Sequence, residues 1–218
     1  MNVVAVVPIK LNSKRLENKN IKCFRNGKPL CFYILNTLKN IDLINKVYVY
    51  CSDLSIKDYV PEGIEIQVRS SDLDKDSTKI NEVLYEFAND VPADIYVMAH
   101  TTAPFISESS IYSGINGVIS GDNDSAFSVL KVQDFFWKDG KPLNYNLNDI
   151  PRTQDLEIMY KETSGFYIYK RELIVSRMRR IGYNPLMVEV NEIEAIDIDE
   201  PEDFKVADAI YNNIIKRN

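Results

Sequence analysis

Apolar and polar positions alternate between two kinds of segment along the first 130 residues. Short runs of mainly apolar, often β-branched residues predict buried strands at 3–7, 46–51, 64–68, 94–100 and 124–130. Helical spacing of apolar residues predicts helices between them, at 29–40, 77–88 and 107–120, with Ser77 as a cap. Because strands and helices alternate, we predict an α/β fold with a doubly wound, mostly parallel sheet and helices on both faces.

The pattern changes after residue 132. Residues 137–142 are typical of a hairpin, and 144–153 are polar without a helical period. We interpret residues 133–162 as an insertion that projects from the sheet, within one domain that spans 1–218. Regular patterns then predict two more strands and two more helices, at 166–169, 186–190, 171–180 and 201–215.

Composition narrows the classes of function. The longest apolar run, Val3 to Ile9, is far shorter than the ~20 residues of a membrane span, and no signal-peptide pattern is visible, so we expect a cytoplasmic protein. The net charge of -6 argues against general binding of nucleic acid or membrane. Three cysteines and the single histidine, His100, favour neither a disulfide framework nor a zinc site.

One segment is strongly basic although the chain is acidic. Between Lys10 and Lys28 there are seven cations and one acid. This segment leaves the first predicted strand at the edge where doubly wound sheets bind ligands, so it suits a compact polyanion such as a nucleoside triphosphate. The alternative is a solvated lysine-rich loop. The glycines of a Walker loop are absent.

Two carboxylates near the C-terminus form the second candidate site. In the segment Ile196-Asp197-Ile198-Asp199, extended backbone would place Asp197 and Asp199 on one face, about 6–7 Å apart. Carboxylates in this arrangement can hold Mg²⁺ together with phosphate oxygens. The alternative is an acidic start to the following helix, which Glu200 also fits.

The segment from Pro8 to Asn20 resembles the signature loop of the acylneuraminate cytidylyltransferase family, with matches at Ser13, Lys14, Lys19 and Asn20. Further segments that are similar to this family follow in its order, at Gly27–Leu30, Ser52–Asp53, Arg69–Asp76, Asp124–Val129, Tyr160–Tyr167 and Asp197–Phe204. The resemblance therefore covers nearly the whole chain, and it implies the nucleotidyltransferase version of a Rossmann-like fold.

The resemblance also implies roles for individual residues. It assigns the binding of CTP to Lys10, Asn12, Ser13, Lys14, Lys19, Arg69 and Asp76. It assigns Mg²⁺ to Asp197 and Asp199, with Lys14, Lys19 and Asp199 as the catalytic set. It assigns contacts with the acceptor substrate to His100, Thr102, Arg152, Gln154 and Tyr167.

The chain departs from the family's pattern at several of these positions. Lys10 replaces an arginine of the loop, and it keeps the charge but loses the bidentate fork. Leu11 and Asn12 replace a glycine pair, and Glu17 replaces a proline. His100 stands where the family has glutamine, and the alternative for it is a purely structural residue at a strand end. For Arg152 the alternative is an ordinary surface arginine.

We predict a magnesium-dependent cytidylyltransferase that transfers CMP from CTP to an acidic, sialic-acid-like sugar and releases pyrophosphate, as in CMP-sugar biosynthesis for surface polysaccharides. The family resemblance implies a homodimer formed through the insertion at 133–162. Three alternatives remain open: the same chemistry on 3-deoxy-manno-octulosonate or a phosphonate, a glycosyltransferase that uses Asp-x-Asp, and a non-catalytic nucleotide-binding protein.

Overall fold

In the computed structural model, which describes residues 1–217, the core of the molecule is a seven-stranded sheet. Its strands are β1 (Val3–Pro8), β2 (Lys46–Cys51), β3 (Glu65–Val68), β4 (Ile95–Ala99), β5 (Ser125–Val132), β8 (Met159–Lys170) and β9 (Pro185–Val190). Their order is β3-β2-β1-β4-β8-β5-β9, and only β8 runs antiparallel to its neighbours. The short strands β6 (Trp137–Lys138) and β7 (Lys141–Pro142) form a separate hairpin.

Five helices cover the two faces and one end of the sheet. They are α1 (Leu30–Lys39), α2 (Ile80–Asp90), α3 (Glu108–Ile119), α4 (Arg171–Arg177) and α5 (Pro201–Asn213). Alternate residues of β1 pack on opposite sides, with Val3, Ala5 and Val7 in the cluster under α1 and α3. Val4 and Val6 belong to the cluster under α2 and α4. The prediction of a doubly wound α/β fold is therefore confirmed, because successive residues of the strands are apolar on both faces of the sheet and helices cover both faces.

Three predicted boundaries differ from the structure. Helix α2 begins at Ile80, and Lys79 rather than Ser77 is its N-cap; Glu82 accepts a hydrogen bond from the Lys79 N–H. Helix α4 ends at Arg177, because Met178 has a left-handed φ of 52°. Strand β8 begins at Met159 rather than near Phe166, since its polar first half pairs with β5. The predicted insertion at 133–162 is therefore too long by four residues, because 159–162 belong to the sheet, and the insertion is residues 133–158. Such pairing depends on tertiary contacts that an apolar pattern does not record.

The direction of the strand order reverses between β1 and β4. From β1 the chain builds outwards through β2 and β3, whereas β4 lies on the other side of β1. The connections that leave the carboxyl ends of β1 and β4 therefore separate, and doubly wound sheets bind ligands in the crevice that forms at such a point. The basic loop after β1 and His100 after β4 both lie there.

A third hydrophobic cluster anchors the two candidate segments to each other. It joins Leu16 and Phe24 of the basic loop to Ile198, which is fully buried between the two aspartates, and to Phe204 of α5. The rings of Phe24 and Phe204 meet edge to face, with centroids 5.0 Å apart. The basic loop and the Asp197–Asp199 segment are therefore packed against the same small core.

Candidate active site

The basic loop after β1 is fastened back onto the sheet by one buried asparagine. The Asn20 side chain donates a hydrogen bond to the Lys10 carbonyl oxygen at 2.7 Å and accepts one from the hydroxyl of Thr101, just beyond β4. Asn18 has a left-handed φ of 53°, which asparagine tolerates better than most residues and which turns the chain into this contact. The loop therefore closes over the crevice between β1 and β4.

Two lysines and an aspartate form one wall of a cavity inside this loop. Lys10 Nζ lies 3.3 Å from Asp76 Oδ1, and Lys14 pairs with the other carboxylate oxygen of Asp76. The hydrogen bond from Lys14 and then that from Lys10 hold the pKa of Asp76 below its ordinary value. Asn12 and Ser13 line the same cavity, which has a volume of about 410 Å³. Predicted residues from two distant segments thus meet at one place.

Arg69 lies beneath this wall rather than in it. Its side chain is only 4% exposed, and it donates hydrogen bonds to the Ile9 carbonyl at 3.1 Å and to Asp74 Oδ1 at 2.7 Å. The Ser52 hydroxyl also contacts Asp74. Arg69 therefore supports the start of the basic loop, and Asp74 compensates its buried charge.

The opposite wall is formed by Lys19, Arg15 and the aspartate pair. Lys19 Nζ donates to the Ile198 carbonyl at 2.8 Å and lies 3.1 Å from Asp199 Oδ1; Arg15 Nη2 lies 2.8 Å from the same oxygen. Burial raises the pKa of Asp199, but the hydrogen bonds from Lys19 and Arg15 outweigh it, so the net shift is downwards. Asp199 is therefore ionised and fixed in orientation.

Asp197 has a different environment. It is exposed at the mouth of the crevice, yet the surrounding protein removes part of its hydration and raises its pKa. A hydrogen bond from Thr102 opposes this shift, while the neighbouring charge of Asp199 adds to it. Main-chain hydrogen bonding from Ile198 N to the Thr102 carbonyl, at 2.8 Å, fixes the segment beside the end of β4.

The donor set of this wall fits Mg²⁺. Magnesium is commonly held by one or two carboxylates that are completed by substrate phosphates and water. Asp197 and Asp199 supply two carboxylates next to the lysine-lined cavity, and within residues 1–217 there is no cluster of three or more histidine, cysteine or acidic side chains that would suit another metal. The two aspartates alone would leave the coordination of Mg²⁺ incomplete, and the phosphates of a bound nucleotide would complete it.

Two of the predicted acceptor residues, His100 and Tyr167, lie next to each other at the end of β4, whereas Thr102 contacts the aspartate segment. Tyr167, in β8, lies 6.5 Å from His100, ring centroid to ring centroid, and its hydroxyl contacts the carboxylate of Glu162. Strand β8 bends here, with a left-handed φ of 59° at Ser164. A Cβ atom at Gly165 would lie 2.5 Å from the end of the Ile106 side chain, so a larger residue here would require Ile106 to move.

Arg152 and Gln154 lie apart from this group. They belong to the polar insertion, where Arg152 makes a bidentate ion pair with Asp155 at 2.7 and 2.9 Å. The carbonyl of Gln154 accepts a hydrogen bond from Gln133. Among the described residues, neither makes a hydrogen bond or ion pair outside the insertion. Within residues 1–217, no hydrogen bond or ion pair therefore joins these two predicted acceptor residues to the residues of the crevice.

Comparison with known proteins identifies the family. The family model described as Cytidylyltransferase matches residues 4–217. The chain belongs to this family of cytidylyltransferases. The fold agrees, since a CMP:2-keto-3-deoxy-manno-octonic acid synthetase solved in complex with CTP superposes with a TM-score of 0.74 at 17% identity, covering 97% of this chain and 99% of that one.

Curated relatives of this cytidylyltransferase carry names that refer to acidic sugars. The N-acylneuraminate cytidylyltransferase A of Danio rerio is 25% identical over 95% of this chain, and the match covers 50% of the fish protein. The CMP-N,N'-diacetyllegionaminic acid synthase of Legionella pneumophila is 25% identical, and the match covers 96% of each protein. The chain thus spans about half the length of the first of these relatives and nearly all of the second.

Sequence reasoning missed several residues of the site in this cytidylyltransferase. Arg15 and Asn20 lie in segments that were already singled out, so the charge run and the family loop could have indicated them. Asp74 is two residues from the predicted Asp76, and its role depends on the folding of its 3-10 turn. Arg180, which lies over the ring of Tyr167, could not have been predicted, because no motif distinguishes it from the neighbouring arginines after α4.

Proposed function

We propose that this chain catalyses the transfer of CMP from CTP to a hydroxyl group of an acidic sugar, with release of pyrophosphate. The observation that carries the proposal is the convergence of Lys10, Lys14 and Lys19 with Asp197 and Asp199 at the switch point of the sheet. Family membership supports the same activity, and the acceptor class rests on the names of the relatives.

The basic loop supplies the cations that a triphosphate needs. In the free chain Lys14 and Lys10 pair with Asp76, and all three side chains are substantially exposed to solvent. Exposed ion pairs contribute little to stability, so replacing the Asp76 carboxylate by phosphate oxygens as the partner of the lysines costs little free energy. Asn12 and Ser13 line the same cavity, so their polar side chains are placed to bind phosphate oxygens beside the lysines.

Asp197 and Asp199 would hold Mg²⁺ beside the phosphates. When bound, the ion neutralises charge on the phosphate oxygens and lowers the pKa of a coordinated hydroxyl. The chain's own contribution is to orient the ligands, since Lys19 and Arg15 fix Asp199 and the buried Ile198 fixes the backbone between the two carboxylates.

The reaction itself is an in-line displacement at the α-phosphorus of CTP. The acceptor oxygen forms a bond to the α-phosphorus, the bond from this phosphorus to the bridging oxygen breaks, and pyrophosphate leaves with that oxygen and its electron pair. The acceptor hydroxyl loses its proton to solvent or to a basic group of the complex. Catalysis then depends mainly on positioning and on charge neutralisation by the lysines.

The acceptor's identity within the acidic sugars is open. Two relatives are named for neuraminate and legionaminate, whereas the superposed structure is named for 2-keto-3-deoxy-manno-octonic acid. All three are sugar acids, so the acidic class is common to them. Pyrophosphate release across these three acceptors, with CTP in excess, identifies the sugar that this chain uses.

We further propose that the chain acts as a homodimer through its insertion. The insertion carries large apolar side chains that are more than half exposed, at Trp137, Leu143, Leu147 and Ile150. Apolar surface of this kind is typical of an interface. In such a dimer, Arg152 and Gln154 of one insertion would serve the crevice of the partner chain, which is consistent with their having only local partners among the described residues of their own chain.

The metal assignment is tested by Asp199→Ala. Loss of a carboxylate that positions a metal removes several kcal/mol of transition-state stabilisation, so we expect pyrophosphate release to fall about 100-fold or more while cooperative unfolding is retained. Glu202→Ala is the matched control, because Glu202 is an exposed acid at the start of α5 whose ion pair among the described residues is with Lys205, away from the crevice lysines. Full activity of the Asp199→Ala variant would contradict the assignment.

A further inference from the structure

Arg180 lies beside Tyr167 of β8, whose ring neighbours that of His100 at the end of β4. Its guanidinium lies over the ring of Tyr167, with 4.1 Å between Cζ and the ring centroid. The side chain is 22% exposed, so it is neither a free surface arginine nor fully enclosed. A guanidinium that stacks in this way keeps its N–H edge free to bind in the plane.

The hydrogen-bonding capacity of Arg180 is largely unused. Its one hydrogen bond among the described residues goes from Nη1 to Asn81 Oδ1 at 3.4 Å, which is long. Its nearest acid is Glu162, with 3.8 Å between Nη2 and Oε1, and Nε is buried without a partner. The five N–H donors of this partly desolvated cation thus have one long hydrogen bond and one loose ion pair, which favours an additional anionic partner.

Glu162 is not free to provide this partner. Its carboxylate oxygen Oε1 already accepts the hydroxyl of Tyr167, and its side chain is 43% exposed. An acid that is shared with a phenol and faces solvent neutralises the guanidinium only in part. Part of the positive charge of Arg180 therefore stays uncompensated beside Tyr167 and His100.

His100 connects this corner to the aspartate wall. The centroid of its ring lies 6.5 Å from that of Tyr167. Two residues further along the chain, the carbonyl of Thr102 accepts a hydrogen bond from the N–H of Ile198, which lies between the two aspartates. Arg180 and the aspartate segment are therefore both connected to the end of β4, the first through Tyr167 and His100 and the second through Thr102. A ligand whose reacting hydroxyl faces the aspartates would present its other groups to Arg180.

We propose that Arg180 determines acceptor specificity by binding the carboxylate of the acidic sugar. The inference rests on the proposed function, since it takes an acidic acceptor as given and assigns the residue that recognises it. Arg152, the arginine that the sequence favoured for this role, already has Asp155 as a bidentate partner. Arg180 is the arginine beside the crevice whose donors are available.

The experiment compares two variants and two ligands. The variants are Arg180→Gln and Arg177→Gln; Arg177 is an exposed arginine of α4 that contacts Glu172 and Tyr183, and it serves as the control. The ligands are the sugar acid of the panel that supports most pyrophosphate release and the methyl ester of the same sugar. Binding is measured calorimetrically with Mg²⁺ and α,β-methylene CTP, which prevents transfer, and kcat and KM are measured with CTP.

We expect the wild type to bind the acid more tightly than the ester. In Arg180→Gln, affinity for the acid should fall about 10- to 100-fold, while affinity for the ester and for the CTP analogue stays unchanged, because one charge-assisted pair is lost. Arg177→Gln should behave as the wild type. Arg180→Lys should recover part of the preference for the acid, since it restores the charge without the fork.

Other results would overturn the inference. If Arg180→Gln keeps the full preference for the acid, or weakens acid and ester equally, Arg180 does not read the carboxylate, and the proposed activity still stands. If the wild type binds CTP but neither binds nor uses any acid of the panel, the acceptor assignment fails and this inference fails with it.

Discussion

At the scale of single residues, His100 shows how the crevice sets the state of a side chain. Burial at the end of β4, and then the positive charges of Arg180 and Lys19, lower its pKa from 6.5 to about 4. The imidazole is therefore neutral near pH 7, so it can offer the sugar one hydrogen-bond donor and one hydrogen-bond acceptor but no charge. This is the chemistry of the glutamine that the family pattern has at this position.

The lowered pKa of His100 predicts a loss of stability in acid. Between about pH 6.5 and pH 4 the unfolded chain binds a proton at His100 that the folded chain does not, so the free energy of unfolding falls as the pH falls through this window. The slope from this residue is at most about 1.4 kcal/mol per pH unit. Urea unfolding of the wild type and His100→Gln at several pH values measures it.

His100→Gln should be the less acid-sensitive of the two proteins. We expect the difference in unfolding free energy between wild type and variant to shrink, or reverse in favour of the variant, from pH 6.5 to pH 4. Equal pH dependence in the two proteins would show that His100 has the same pKa in the folded and unfolded states, which would contradict the lowered pKa.

At the scale of elements, the insertion differs from the rest of the fold. Its hairpin strands β6 and β7 have two residues each, and a small aromatic group of Phe135, Trp137 and Tyr145 provides much of its packing. Several of its other apolar side chains face solvent, among them Leu147 and Ile150. An element with so little core of its own gains stability when a second copy covers it.

This exposure predicts that one charge in the insertion disrupts the dimer. Ile150 is 61% exposed in the single chain, and Leu54, far from the insertion in sequence, is equally exposed. We expect Ile150→Asp to weaken dimerisation about tenfold or more, because an interface would bury the new carboxylate without a partner. Leu54→Asp should leave the dimer intact.

Light scattering after size-exclusion chromatography, over a range of protein concentrations, gives the molecular mass of each variant. A wild type that remains a 25 kDa monomer at all concentrations would contradict the proposed homodimer, as would a dimer that Ile150→Asp leaves unchanged.

At the scale of the whole molecule, the sequence predicted most of the sheet and most of the nucleotide end of the crevice. The buried strands are continuous apolar runs, so they could be predicted from the sequence. The basic loop directly follows the first of these strands. The pairing of Lys10 and Lys14 with Asp76 joins segments more than 60 residues apart, and only the family resemblance indicated it. Whether these residues bind CTP stays a prediction.

The acceptor end was much less predictable. Strand β8 is antiparallel within a mostly parallel sheet, and its first half is polar, so neither its length nor its position between β4 and β5 could be read from an apolar pattern. Arg180 reaches Tyr167 only because β8 and the turn after α4 lie side by side. Contacts of this kind are created by tertiary packing, and composition and spacing contain no trace of them.

The most direct test of the proposed activity is pyrophosphate release with each nucleoside triphosphate in turn. The protein, with Mg²⁺ and a panel of neuraminate, legionaminate and 3-deoxy-manno-octulosonate, is offered CTP, UTP, ATP or GTP. We predict release with CTP and at least one of these acids, and little or none with the other nucleotides. Release that favours another nucleotide, or binding of CTP without release for any acceptor, would contradict the assignment of a CMP transferase.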